Sequence, residues 1–326
     1  MKKLLNLLAV FGLASSVASS VVSCGNVSNV NTSLTGSIDT SVGNGTGKLE
    51  DGTLDGNVYT ITQLSNGIIL AGTSGKSVYK LTDEGKIDTS VGDGTGKLED
   101  ETFDGAIETI TQLEDGTILA GTDAGSIYKL TDEGKIDTSV GGGTGKLEDK
   151  TFDSRVETIE KLENGTIIVG TLSASIYKLT AEGKIDTTVG GGTGKLEDKT
   201  FDSRVETIDQ LPLKKTSVLA GTYSGSIYRL TADGKIDTTV GNAGVIENLK
   251  KIAYVIIQVK NGAVIVGSTN GTIFRLTDEG KIDTSIGDGT GKIADNSFEG
   301  SMLSLTELSN GIIIGGSNST IYKLIN

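Results

Sequence analysis

Glu108, Glu157 and Glu206 each open the phrase Glu-Thr-Ile and stand 49 residues apart. Carboxylates brought to one channel by equivalent strands could hold a cation or work as acid and base. A solvated channel lining accounts for the same pattern without chemistry. Tyr59, Tyr254 and Leu303 hold the equivalent places in the other repeats. A second group of residues breaks the pattern: Lys214-Lys215, in a lengthened connection that begins at Pro212, and Lys250-Lys251, followed by Tyr254. Paired lysines beside an amphipathic ring are what an anionic glycan, a lipid head group or an acidic protein would meet. Solvated lysines left by drift are the plain alternative. Cys24 is the single thiol.

The rest of the composition narrows the chemistry. The 326 residues carry 29 Lys+Arg against 42 Asp+Glu, a net charge of −13, with no His and no Trp. Without imidazole there is no His-activated nucleophile and no His metal ligand. One Cys excludes thiolate zinc cages and intramolecular disulfides. An acidic chain lacks the basic face that nucleic acid requires. Gly-Thr-Gly-Lys recurs at 45–48, 94–97, 143–146, 192–195 and 289–292, yet Val91 stands where a phosphate loop needs Gly, and Leu98 where it needs Ser or Thr. These segments read as turns. Neither a metal nor a cofactor is expected.

The N-terminus reads as an address. Met1-Lys2-Lys3 is cationic, Leu4 to Leu13 is mainly apolar, and small residues follow to Ser23. The apolar run is too short to span a bilayer as a helix. Val21-Val22-Ser23-Cys24 resembles the lipobox of bacterial lipoproteins, and the whole segment is similar to signals of surface lipoproteins in wall-less bacteria. The resemblance implies cleavage after residue 23 and lipidation of Cys24, with localisation on the extracellular side of the cell membrane. Two acyl chains would suffice for stable attachment. Loss of Lys2 and Lys3 would leave 27 basic against 42 acidic residues, net −15. Residues 24–35 then read as the lipidated Cys and a flexible tether.

From residue 36 to 326 one unit is written six times, starting at Gly36, Gly85, Gly134, Gly183, Gly234 and Gly280. Gly134–Ile159 and Gly183–Ile208 agree at 25 of 26 positions. Each unit alternates short β-type runs with turns. In the second, Ile107–Leu113 is broken by Asp115-Gly116, the pair that a tight hairpin favours. Thr117–Gly121 follows, then Ser126–Leu130 and a Gly134 turn. A fourth strand starts either at Lys135-Ile136-Asp137 or near Gly145-Lys146-Leu147; the pattern leaves both open. Four short strands in 46–51 residues, six times over, predict an all-β fold, a six-bladed β-propeller. A β-solenoid would need atypical caps at both ends. Here the first repeat opens with a fourth-strand segment and the last ends on a third strand, so residues 36–50 can close the ring and remove its open edges.

The phrases QLEDGTILAGT (112–122) and SIYKLTDEGKIDTSVG (126–141) resemble the delta-60 repeat of bacterial surface proteins, with Val140 where that family has Phe. The resemblance implies a propeller in an extracytoplasmic setting and lends no activity. Asp39, Asp88, Asp137, Asp186, Asp237 and Asp283, one per repeat, suit Asx turns better than calcium ligands. The recurring Tyr79, Tyr128, Tyr177, Tyr228, Phe274 and Tyr322 suit packing between blades. The function expected is that of a monomeric, membrane-anchored binding module for an extracellular protein or glycan. A passive surface coat is the alternative, and a carboxylate-dependent hydrolase stands behind both; no enzyme activity is expected.

Overall fold

The computed structural model describes residues 36–51, 53–99, 102–148, 152–211, 217–294 and 298–325. Cys24, Lys214 and Lys215 lie outside these described residues. Six four-stranded antiparallel sheets form the blades of a β-propeller. In blade 2 the strands run Ile107–Gln112, Ile118–Thr122, Ile127–Leu130 and Lys146–Glu148, from innermost to outermost. The sequence had left two segments open for the outermost strand. The strand is Lys146–Glu148, while Ile136 makes only an isolated bridge to Leu130. Both segments touch the third strand, since Lys129 N–H donates to Gly145 O at 2.8 Å and Asp137 N–H to Lys129 O at 2.9 Å.

Each repeat's opening segment therefore completes the blade before it, and the first repeat completes the last. Lys48–Asp51 pairs with Thr320–Leu324 as the outermost strand of blade 6. Ile38 bridges Leu324, and Gly36 N–H donates to Ile325 O at 2.7 Å. The ring closes as the chain ends implied.

The core lies between blades. Leu70 and Val78 of blade 1 pack with Ile107, Ile118 and Tyr128 of blade 2, and the same interlock joins blade 6 to blade 1 through Ile314, Ile321 and Val58. Gly121 on the second strand of blade 2 permits this approach. A Cβ there would stand 2.4 Å from Val156 Cγ1 of blade 3. The recurring ring is buried, and where it is Tyr its hydroxyl accepts from a loop amide, as in Asp104 N–H to Tyr128 Oη at 3.1 Å. Phe103 meets Tyr128 edge-on at 4.9 Å between centroids. The recurring aspartates make Asx turns: Asp88 Oδ1 accepts from Ser90 N–H at 3.0 Å, and its other oxygen pairs with Lys80 at 2.9 Å.

Candidate binding site at the upper end of the channel

The innermost strands of the six blades run side by side around the axis. Each leaves its inner edge unpaired with any strand, and side chains stitch the gap. Thr62 Oγ1 donates to Ile110 O at 2.7 Å, and Ser304 Oγ to Val58 O at 3.3 Å. In blades 1 to 5 a β-bulge shifts the register near the start of this strand, between Ile107 and Thr109 in blade 2. The extra residue lets two successive positions, Glu108 and Thr109, both line the channel.

The face at which these strands begin is here called the upper face. Its axial cavity has a volume of about 300 Å³. Glu108, Glu157 and Glu206 line one side and Tyr59, Tyr254 and Leu303 the other. The three glutamates thus face one space, as their spacing suggested. Tyr254 belongs to this wall. Above the carboxylates stand Arg155 and Arg204, which the spacing of the glutamates does not single out. The signal for them was present, because Asp-Ser-Arg-Val-Glu in repeats three and four replaces Asp-Gly-Ala-Ile-Glu in repeat two.

Arg204 Nε donates to Glu206 Oε1, and its guanidinium lies 4.1 Å from the Tyr223 ring centroid. Arg155 is more loosely held. Its Nη1 is 3.4 Å from Glu108 Oε1 and its Nε 3.9 Å from Glu157 Oε1. Neither of those two buried oxygens receives a hydrogen bond. Burial, then repulsion from Glu206, raises the Glu157 carboxyl to about 8. Burial and the Glu157 charge push Glu108 well above the usual carboxylate range. Burial also raises Glu206, against the pull of Arg204. Among the described residues no group of three or more carboxylates is arranged to hold a metal ion.

Deeper in the channel Glu160 and Asp209 take equivalent places on neighbouring strands. Asp209 Oδ2 is shielded from solvent and unpartnered. Burial raises both carboxyls, and for Glu160 the Asp209 charge adds to it.

The upper and lower faces differ in kind. On the lower face hairpin asparagines brace the next blade: Asn66 Nδ2 donates to Asp132 O at 2.8 Å, Asn164 Nδ2 to Ala232 O at 2.7 Å, and Asn310 Nδ2 to Asp83 O at 2.8 Å. On the upper face the equivalent turn residues are Ser74, Asp123, Leu172, Tyr223, Thr269 and Asn318. Leu172 and Tyr223 are the exposed large apolar residues among those described, at 37% and 47%. Lys250 and Lys251 lie beside the Tyr223 turn, where Leu249 N–H donates to Gly225 O at 2.8 Å. Lys251 Nζ donates to Thr272 Oγ1 at 2.6 Å. The flanks of the segment 212–216, Leu211 and Ser217, close a hairpin at the lower end of the innermost strand of blade 4. Lys250 and Lys251 thus share the upper face with the cavity, whereas Leu211 and Ser217 lie at the lower one.

No family model and no curated protein matches the chain. Among solved structures, the WD40 β-propeller domain of Doa1 aligns with a TM-score of 0.55 at 12% identity, over 90% of this chain and 97% of that one. The likeness is one of fold. A chain of the mitotic checkpoint complex gives 0.53 at 11% identity, over 83% and 76%. A catalytically inactive histidine-to-alanine variant of virginiamycin B lyase from Staphylococcus aureus, with quinupristin, gives 0.51 at 18% identity, over 85% and 87%.

Proposed function

We propose that this propeller is a membrane-anchored binding module of the cell surface, which engages a partner through its upper face and catalyses no reaction. The observation that carries the reading is the contrast between the faces. Repeats that agree at 25 of 26 positions elsewhere place Leu172 in one upper turn and Tyr223 in the next. The lower face repeats the same bracing hydrogen bonds. Arg155, Arg204, Lys250 and Lys251 put cations among these exposed apolar groups on a chain of net charge −13. Arg and Tyr together are enriched where proteins meet, and local positive charge steers an acidic partner. The fold is one that protein assemblies use, as the similar chain of the mitotic checkpoint complex does.

The anchor rests on Val21-Val22-Ser23-Cys24 and its resemblance to a lipobox. Absence of turnover rests on the missing imidazole. The similar lyase is inactivated by losing a histidine, and this chain has none to supply that role. A passive surface coat is the second reading, favoured by the near-identity of repeats three and four. The paired substitution Tyr223→Ala with Lys250→Glu separates the two. On intact cells it should weaken partner binding by about tenfold, in a salt-dependent way, with the melting temperature nearly unchanged. Equal binding by wild type and variant would favour the coat.

A further inference from the structure

The cavity beneath the upper face has two unlike walls. One presents carboxyls topped by guanidinium groups, the other Tyr59, Tyr254 and Leu303. Tyr59 and Tyr254 are half-buried, and their rings bring carbon surface to this space. On the opposite wall Glu108 Oε1 and Glu157 Oε1 are buried acceptors to which nothing donates. A buried acceptor left without a donor is costly, and a ligand hydroxyl would relieve that cost.

The charges settle the ligand's sign. A cation would sit beneath Arg155 and Arg204, and an anion would find Arg204 already paired with Glu206. A neutral polyol meets neither objection: its hydroxyls donate to the carboxyl oxygens and accept from Arg155, whose grip on both glutamates is long. A pyranose also has a C–H face for the tyrosine wall. About 300 Å³ is at the small end of ligand pockets and matches one or two sugar rings.

We propose that this cavity is a saccharide site, with sugar hydroxyls on Glu108 and Glu157 and the apolar sugar face on Tyr59 and Tyr254. The proposal rests on reading the upper face as the binding face and adds a ligand class to it. The sugar could be free or the terminal residue of a surface glycan, since both present the same chemistry.

The test is calorimetric titration of the full chain, held in a zwitterionic detergent free of sugar head groups, with glucose, galactose, mannose and N-acetylglucosamine. At least one should bind saturably, with an affinity independent of salt. Glu157→Gln and Glu108→Gln should each weaken it by about tenfold, since each exchanges one of the two carboxyl oxygens for an NH2 group that cannot accept. Lys250→Glu alone should leave it unchanged while weakening partner binding, so loss of partner binding and loss of sugar binding are separable. A glycan array probed with the same protein distinguishes the sources, because a terminal residue would bind there and a free sugar alone would not. The proposal is overturned if none of the four sugars binds. It is also overturned if both glutamine variants, folded by circular dichroism, bind like wild type, or if an n-alkylammonium ion displaces the sugar with a salt-dependent affinity.

Discussion

Carboxyl groups held above their ordinary range tie stability to pH in a definite direction. Glu157 keeps its proton in the folded state to about pH 8, whereas in the unfolded chain it loses it near pH 4. Between those limits the folded state binds more protons than the unfolded one, so stability falls as pH rises from about 4 to about 8. Glu108, Glu160 and Asp209 act in the same sense. Asp39 and Asp88 act in the opposite sense. A hydroxyl from Ser41 or Ser90, then Lys323 or Lys80, holds each at about 2, so their contribution is present above about pH 4 and is lost as pH falls towards 2. Both lie at the protein surface, partly exposed, where solvent screening keeps their share small. The melting temperature should therefore peak on the acidic side of neutrality. Glu157→Gln, which removes one buried ionisation, should flatten the decline between pH 5 and pH 8, on the order of a few degrees. An identical decline in the variant, followed by calorimetry, would show that the buried carboxyls do not set it. At this scale the three glutamates were legible because a 49-residue spacing puts equivalent side chains at one height on the axis. Arg155 and Arg204 left a fainter trace, the Ser-Arg that replaces Gly-Ala ahead of the strand in repeats three and four. They precede the strand, and only the bulged start of the innermost strand shows that the residue before it overhangs the same cavity.

At the scale of strands and turns, the hairpin glycines and aliphatic runs announced three strands per blade. The fourth stayed ambiguous because two segments of each repeat bond to the third strand, one as a ladder and one as a single bridge. Local propensity does not rank them; the fold of the intervening turn does. Gly145 shapes that turn, with φ at +75° and a virtual Cβ only 2.2 Å from Ile136 Cγ2. Gly145→Ala should cost about 1–3 kcal/mol, from overpacking added to left-handed strain, and denaturant titration would read it. The closing strand is a larger element. Without residues 36–50, Thr320–Leu324 loses most of its outer partner, and Leu324 its contact with Ile38. The truncated protein should aggregate or lose several kcal/mol. A truncation that stays monomeric with an unchanged melting temperature would mean that the ring does not depend on this closure.

Across the whole molecule, the count of six and the closure were legible because the chain ends supply complementary strands, which is a topological fact as much as a local one. The inequality of the two faces was not. Leu172 and Tyr223 read as ordinary turn residues until the fold exposes both on the face where Arg204 stacks on Tyr223. Leu211 and Ser217 pair at the lower end of the innermost strand of blade 4, whereas the Lys250 loop lies at the upper end of that of blade 5. Anchoring belongs to this scale too. Cys24→Ala should release the protein into the medium or leave its precursor uncut, and a variant that still partitions into detergent like wild type would remove the lipid anchor. The central claim is that binding takes place on the upper face. Its most direct measurement is site-specific photocrosslinking on intact cells, with a photoreactive residue placed at Tyr223 above and, separately, at Asn164 below. Adducts of a single partner from position 223 and none from position 164 are predicted; adducts from 164 alone, or equally from both, would contradict it.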